Sequence, residues 1–156
     1  MRVERTAGQE VFAPPVSYSQ ERLWFLEQLE PNTPVYNIPF IATVQGAIHR
    51  KAFNNAVNRL VERHESLRTC FIESAGKPRQ AIYPRLTVEV DFEDLSRLDS
   101  RTAAARVQEL CTASVSEPFD LHKAPLFRIA LLATARETTL VTTIHHIVAD
   151  GWSIGV

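Results

Sequence analysis

Phe53, Ala56, Val57, Leu60, Val61 and His64 recur at i, i+3, i+4, i+7, i+8 and i+11, the one-sided apolar stripe of a helix that lies on a sheet. A chain carrying such a helix over residues 50–65 has to supply strands for it to cover. Strand character appears at residues 38–44, a β-branched and aromatic run ended by Gly46, and again at 69–73, 80–83 and 86–90, with a Gly- and Pro-containing hairpin loop at 74–78. Strands at 126–133 and 138–145 are joined by a link short enough for an antiparallel hairpin. Ser17, Tyr18, Ser19 and Gln20 read as a capping box, opening a helix that runs to about Leu29 with Trp24 and Phe25 as core residues. A third helix over 101–116 turns Ala103, Ala104, Val107, Leu110, Cys111 and Ser114 inward and stops ahead of Pro118. Helices and strands mix without a regular βαβ alternation, so the expected fold is α+β, a mixed sheet with helices packed on it. Residues 1–13 show no helical or strand period and are expected to form a flexible leader; one domain should occupy 14–156.

Composition narrows the function. With 17 basic against 18 acidic residues the net charge is −1, which lacks the basic surface of a nucleic-acid or anionic-membrane binder. No apolar run is long enough to span a bilayer, and the amino terminus has no secretory h-region. Cys70 and Cys111 are too few and too widely spaced for a metal framework and sit among apolar neighbours. They read as reduced, buried thiols of a cytoplasmic protein.

Chemistry concentrates at His145, His146, Asp150 and Gly151, where the last strand gives way to a loop. Along that strand Leu140, Thr142 and Ile144 share a face with His146, while Val141 and Thr143 share the other with His145. Opposed imidazoles do not ligate one ion, and no HExxH or Cys spacing adds ligands, so no metal is expected. A hydrolase triad is unsupported too, because no serine or cysteine nucleophile has a matching partner for Asp150. Read alone, the two histidines and the Asp-Gly turn are as compatible with a structural corner as with a site.

Three segments together go further. HHIVADGWS at 145–153 resembles the HHxxxDG signature of nonribosomal peptide synthetase condensation domains, relatives of the chloramphenicol acetyltransferase-like acyltransferases. SYSQERLWFLEQL at 17–29, followed by YNIP at 36–39, is similar to the family's first motif, and RHESLRTCF at 63–71 to its second. PLFR at 125–128 also resembles the family, with Ala124 where a glycine often precedes the proline. YNIP and DGWS look most like domains that join two L-configured residues.

The resemblance implies a chloramphenicol acetyltransferase-like half-domain, the amino-terminal lobe of a condensation domain, with the carboxy-terminal lobe absent. It implies peptide-bond formation between an acyl or peptidyl thioester and an aminoacyl thioester. Both are carried on phosphopantetheine arms of donor and acceptor carrier proteins, and no cofactor is bound directly. The other implied partners are the missing lobe and an adenylation domain. His146 would be the catalytic histidine, as general base or as a group that positions the amine. His145 would hydrogen-bond within the lobe. Asp150 would be structural, paired with an arginine of the second motif, Arg68 or else Arg63. Gly151 would leave room and a backbone N–H beside the reacting thioester. Without the second lobe the chain is expected to show little activity. Two other readings remain: a noncatalytic docking module, and an acyltransferase that uses acyl-coenzyme A.

Overall fold

A computed structural model describes residues 1–4, 11–151 and 153. The elements in order are β1 (Arg2–Glu4), α1 (Tyr18–Leu29), β2 (Asn37–Gln45), α2 (Arg50–Arg63), a 3-10 turn (Glu65–Arg68), β3 (Thr69–Ser74), β4 (Lys77–Ile82), β5 (Thr87–Glu89), β6 (Asp91–Asp94), α3 (Ser100–Ser116), β7 (Phe127–Ala133) and β8 (Glu137–His145). The main sheet has the order β2-β8-β7-β6. β8 is central, antiparallel to β2 from Asn37 opposite His145 to Gln45 opposite Glu137, and antiparallel to β7 through the expected hairpin. β6 pairs parallel with β7, which makes the sheet mixed.

That parallel pair required a crossover, and α3 provides it. β6–α3–β7 is a single βαβ unit within a chain that otherwise lacks the alternation. β6 itself, Asp-Phe-Glu-Asp at the sheet edge, offers one apolar side chain and so carries no strand period. β3 and β4 form their own hairpin, turned by Ala75 (φ 51) and Gly76 (φ 73), the paired left-handed conformations of a type I′ turn.

Helices cover both faces. On one, Ala103 and Cys111 of α3 meet Leu132, Val141 and Leu95, and the Ser114 and Thr143 hydroxyls lie 3.0 Å apart. On the other, Val57 and Val61 of α2 meet Val88, Leu86, Phe127 and Ile129, with Leu140 and Ile144 beside them. Both cysteines are buried thiols, and burial pushes the Cys111 thiol up.

The α2 stripe is rotated from its expected position. Leu60 is 51% exposed and Ala56 is also exposed, while Asn54 and Asn58 face β5. Asn58 Oδ1 accepts from Val88 N and its Nδ2 donates to Val88 O, both at 2.8 Å, and Asn54 Oδ1 accepts from Val90 N at 2.9 Å. The two amides hydrogen-bond the backbone of β5 and of Val90 just after it as a neighbouring strand would, so polar residues occupy a helix face that periodicity assigns to apolar ones.

The leader expectation is corrected where the chain is described. Arg2–Glu4 pairs antiparallel with Thr87–Glu89, Phe12 exchanges backbone hydrogen bonds with Ile82, and Pro14 O accepts from Gln80 N. Residues 5–10 lie outside the described residues. On the opposite flank β2 is the edge of the main sheet among the described residues, and its Phe40, Ile41 and Val44 are half-exposed.

Candidate active site

The end of β8 is built by backbone hydrogen bonds around His145. Its N–H donates to Leu126 O at 2.9 Å, its carbonyl accepts from Val148 N at 3.1 Å, and its Nδ1 accepts from Ile147 N at 3.2 Å. The chain therefore turns within two residues of the strand end. His145 is 1% exposed, with the rings of Tyr36 and Phe119 meeting it edge-on at centroid distances of 6.1 and 6.0 Å. His146, the first residue of the turn after β8, is exposed, its backbone N–H donating to Tyr36 O at 2.8 Å.

Burial holds the His145 pKa down to about 4 from its usual 6.5, and the neighbouring His146 charge acts in the same direction. With Nδ1 accepting a hydrogen bond, the neutral ring carries its proton on Nε2. The folded pKa lies below the unfolded one, so the associated stability is complete above pH 6.5 and drains away as pH falls towards 4. The loss is on the order of 3 kcal/mol at the acid limit. Urea midpoints should fall between pH 6.5 and 4.5, and His145→Phe should remove that part of the slope; an unchanged slope would show that His145 is not the group taking up the proton.

Beneath this turn the three motifs share one core. Trp24 from α1, Phe71 from β3, Leu121, Leu126, Ile147 and Val148 form a single buried cluster. Trp24 lies 6.4 Å from the Phe71 ring and meets His122 edge-on at 5.1 Å. The expected capping box is present at Ser17 and Gln20. Gln20 goes further: its Nε2 donates to Ile147 O at 3.3 Å, tying the first motif to the signature loop. Phe25, grouped with Trp24 as core, is 60% exposed, because the helix turns only its Trp24 side inward.

Asp150 closes the loop locally, its Oδ1 accepting from Ser153 N at 3.0 Å and from Ser153 Oγ at 2.8 Å. Arg68 is not placed on it. The Arg68 guanidinium donates to Tyr83 O at 2.5 Å and reaches Glu65 Oε1 at 3.3 Å, so the expected Arg68–Asp150 pair is replaced by one that fastens the 3-10 turn to the end of β4. Arg63 is exposed in the last turn of α2. A Cβ built on Gly151 meets nothing within 4 Å and its φ is not left-handed, so neither space nor backbone dictates glycine among the described residues. Trp152 lies outside them.

Sequence reasoning left Tyr36, Asn37 and Phe119 without roles. Asn37 Nδ2 donates to Val115 O at 2.7 Å and Glu117 O at 2.9 Å, bracing the start of β2 against the end of α3. YNIP marked the first two as a motif; nothing local marks Phe119. Among the described residues no group of three or more His, Cys, Asp or Glu side chains is placed to hold a metal ion, and no helix is long and apolar enough to cross a membrane.

Comparison with known proteins agrees with this architecture. Chondramide synthase cmdD of Chondromyces crocatus is 42% identical over 143 residues, which are 91% of this chain and 4% of that protein. Phosphinothricin tripeptide synthetase PhsC of Streptomyces viridochromogenes is 42% identical over 91% of this chain and 13% of its own length. The starter condensation domain of rhizomide synthetase RzmA superposes with a TM-score of 0.78 at 29% identity, over 90% of this chain and 34% of that one. The first condensation domain of the CDA synthetase, 18% identical with a TM-score of 0.76 over 86% of this chain and 36% of that one, shares the fold. This chain thus spans a small part of its curated relatives and about a third of the solved chains. The family profile described as Condensation domain matches residues 13–156, and with the histidine turn, its three-motif core and these relatives in agreement, the chain belongs to the condensation-domain family.

Proposed function

We propose that this chain contributes His146 to peptide-bond formation between two carrier-bound thioesters, as the amino-terminal lobe (14–156) of a condensation domain whose remaining length supplies the facing wall. The amine nitrogen of the acceptor aminoacyl group attacks the donor thioester carbonyl, the C–N bond forms, the C–S bond breaks, and the donor pantetheine thiol departs. The amine loses one proton and the departing thiolate gains one. His146 is the group in reach to take that proton or to hold the amine for attack, since an α-amino group has a pKa of about 8 and is partly protonated near neutrality.

The observation that carries this reading is the contrast between adjacent imidazoles. His145 is buried, neutral and committed to the turn, whereas His146 is exposed with its backbone anchored. In the same reading Asp150 shapes the loop, Arg68 braces Tyr83 instead of pairing with Asp150, and Gly151 offers its backbone N–H to the thioester oxyanion. Arg63 has no part in it. Donor and acceptor carrier proteins, the carboxy-terminal lobe and an adenylation domain are the partners; phosphopantetheine arrives on the carriers as substrate arm, in the cytoplasm. YNIP and DGWS favour two L-configured residues.

The test is a complete condensation domain containing this chain, given a donor-loaded and an acceptor-loaded carrier protein. A dipeptidyl thioester on the acceptor carrier, seen by intact mass, is expected. Carrier binding without product would indicate a docking module, and consumption of acyl-coenzyme A with an alcohol acceptor would indicate a different acyltransferase.

A further inference from the structure

We infer that Asn37 is a positioning residue for His146, acting through the backbone of Tyr36; the inference rests on the catalytic reading of His146 and deepens it. His146 lies just beyond the end of β8, and Tyr36, which holds it, lies just ahead of β2, an edge strand among the described residues. The hydrogen bond from His146 N to Tyr36 O is thus the last rung of the ladder, where fraying costs least. One residue along, Asn37 fastens that rung. Its Nδ2 donates to Val115 O and Glu117 O, two carbonyls at the end of α3 that the helix itself leaves unpaired.

The amide has one workable orientation. Reversed, its oxygen would face two carbonyl oxygens. As placed, Oδ1 is buried without a hydrogen-bond partner among the described residues. An amide kept with its acceptor half unpaired is explained by what its donor half secures. The same helix end also supports the neighbouring histidine. Arg128 donates to Glu117 O, bridges to Glu117 Oε2 at 2.9 Å, and stacks 3.8 Å from the centre of the Phe119 ring that abuts His145. The end of α3 is therefore the common footing of both imidazoles, with Asn37 its connection to His146.

Releasing Asn37 should let the Tyr36 carbonyl drift and His146 with it, and a displacement of about 1 Å costs on the order of 100-fold in rate. In the complete domain, Asn37→Ala should lower kcat by about 10–100-fold with the KM for the acceptor carrier nearly unchanged. Asn37→Ser, which retains one donor, should fall between and serves if the alanine variant does not fold. On a His146→Ala background, Asn37→Ala should cause no further loss, because a residue acting through His146 has nothing left to act on. Hydrogen exchange gives a readout independent of turnover: the His146 amide should exchange at least about tenfold faster in either variant while Val141 and Thr143 in mid-strand stay protected. Unchanged His146 exchange, or an equal loss of rate with and without His146, would overturn the inference. A fully active His146→Ala domain would overturn the catalytic reading instead, and the exchange result would still decide whether Asn37 holds His146.

Discussion

His146→Ala is expected to lower the single-turnover rate of condensation by about 10²–10⁴-fold, the usual worth of a positioned acid–base group, while leaving the folded state almost untouched. The imidazole is exposed and its anchor to Tyr36 is a backbone bond that alanine keeps, so stability should change by no more than about 0.5 kcal/mol. The combination separates chemistry from architecture. The adjacent His145 is buried and accepts the Ile147 N–H, so its removal should reduce activity and stability together. A His146→Ala domain that retains its rate within about tenfold, well short of a general base's contribution, would remove His146 from the reaction.

The second large effect is structural. Trp24→Ala should destabilise the fold by about 3–5 kcal/mol, the cost of truncating a buried aromatic in a packed cluster. Trp24 is 6% exposed and shares its core with Phe71, Leu126, Ile147 and Val148. These residues come from all three motifs, so the cavity would open under the signature loop. Urea unfolding measures the loss, and faster exchange of the Ile147 amide should accompany it. A loss below about 1 kcal/mol would mean that the motifs are held together elsewhere, since a cavity of this size costs more.

What could be read beforehand was whatever repeats or caps locally. The capping box at Ser17 and Gln20, the helices and the β7–β8 hairpin all follow from spacing within a few residues. Features set by distant partners could not be read this way. Asn54 and Asn58 are polar by type yet turn inward, because Val88 of β5 and Val90 just after it present backbone groups to them. β6 is a strand only because β7 and the α3 crossover place it there. The Arg68–Asp150 pairing failed for a similar reason: charge complementarity names candidates, but Tyr83 O and Glu65 lie closer in the folded chain. At the site itself, the residue types of the HHxxxDG stretch were visible. The supports of His146 were not, since Asn37 meets its partners 78 and 80 positions away.

The pairing of β2 with β8 also sets an order for biosynthesis. Thr43 and Thr139 face each other across that pair although they are 96 positions apart. At about 5–20 residues per second, a ribosome needs roughly 5–20 s to make the strand that β2 waits for. During that interval Phe40, Ile41 and Val44 have no sheet to join, and an apolar strand without a neighbour invites chaperones or neighbouring nascent chains. His145 and His146 leave the ribosome with the very strand that β2 pairs with, so the pair can acquire its geometry only after that long-range pairing forms.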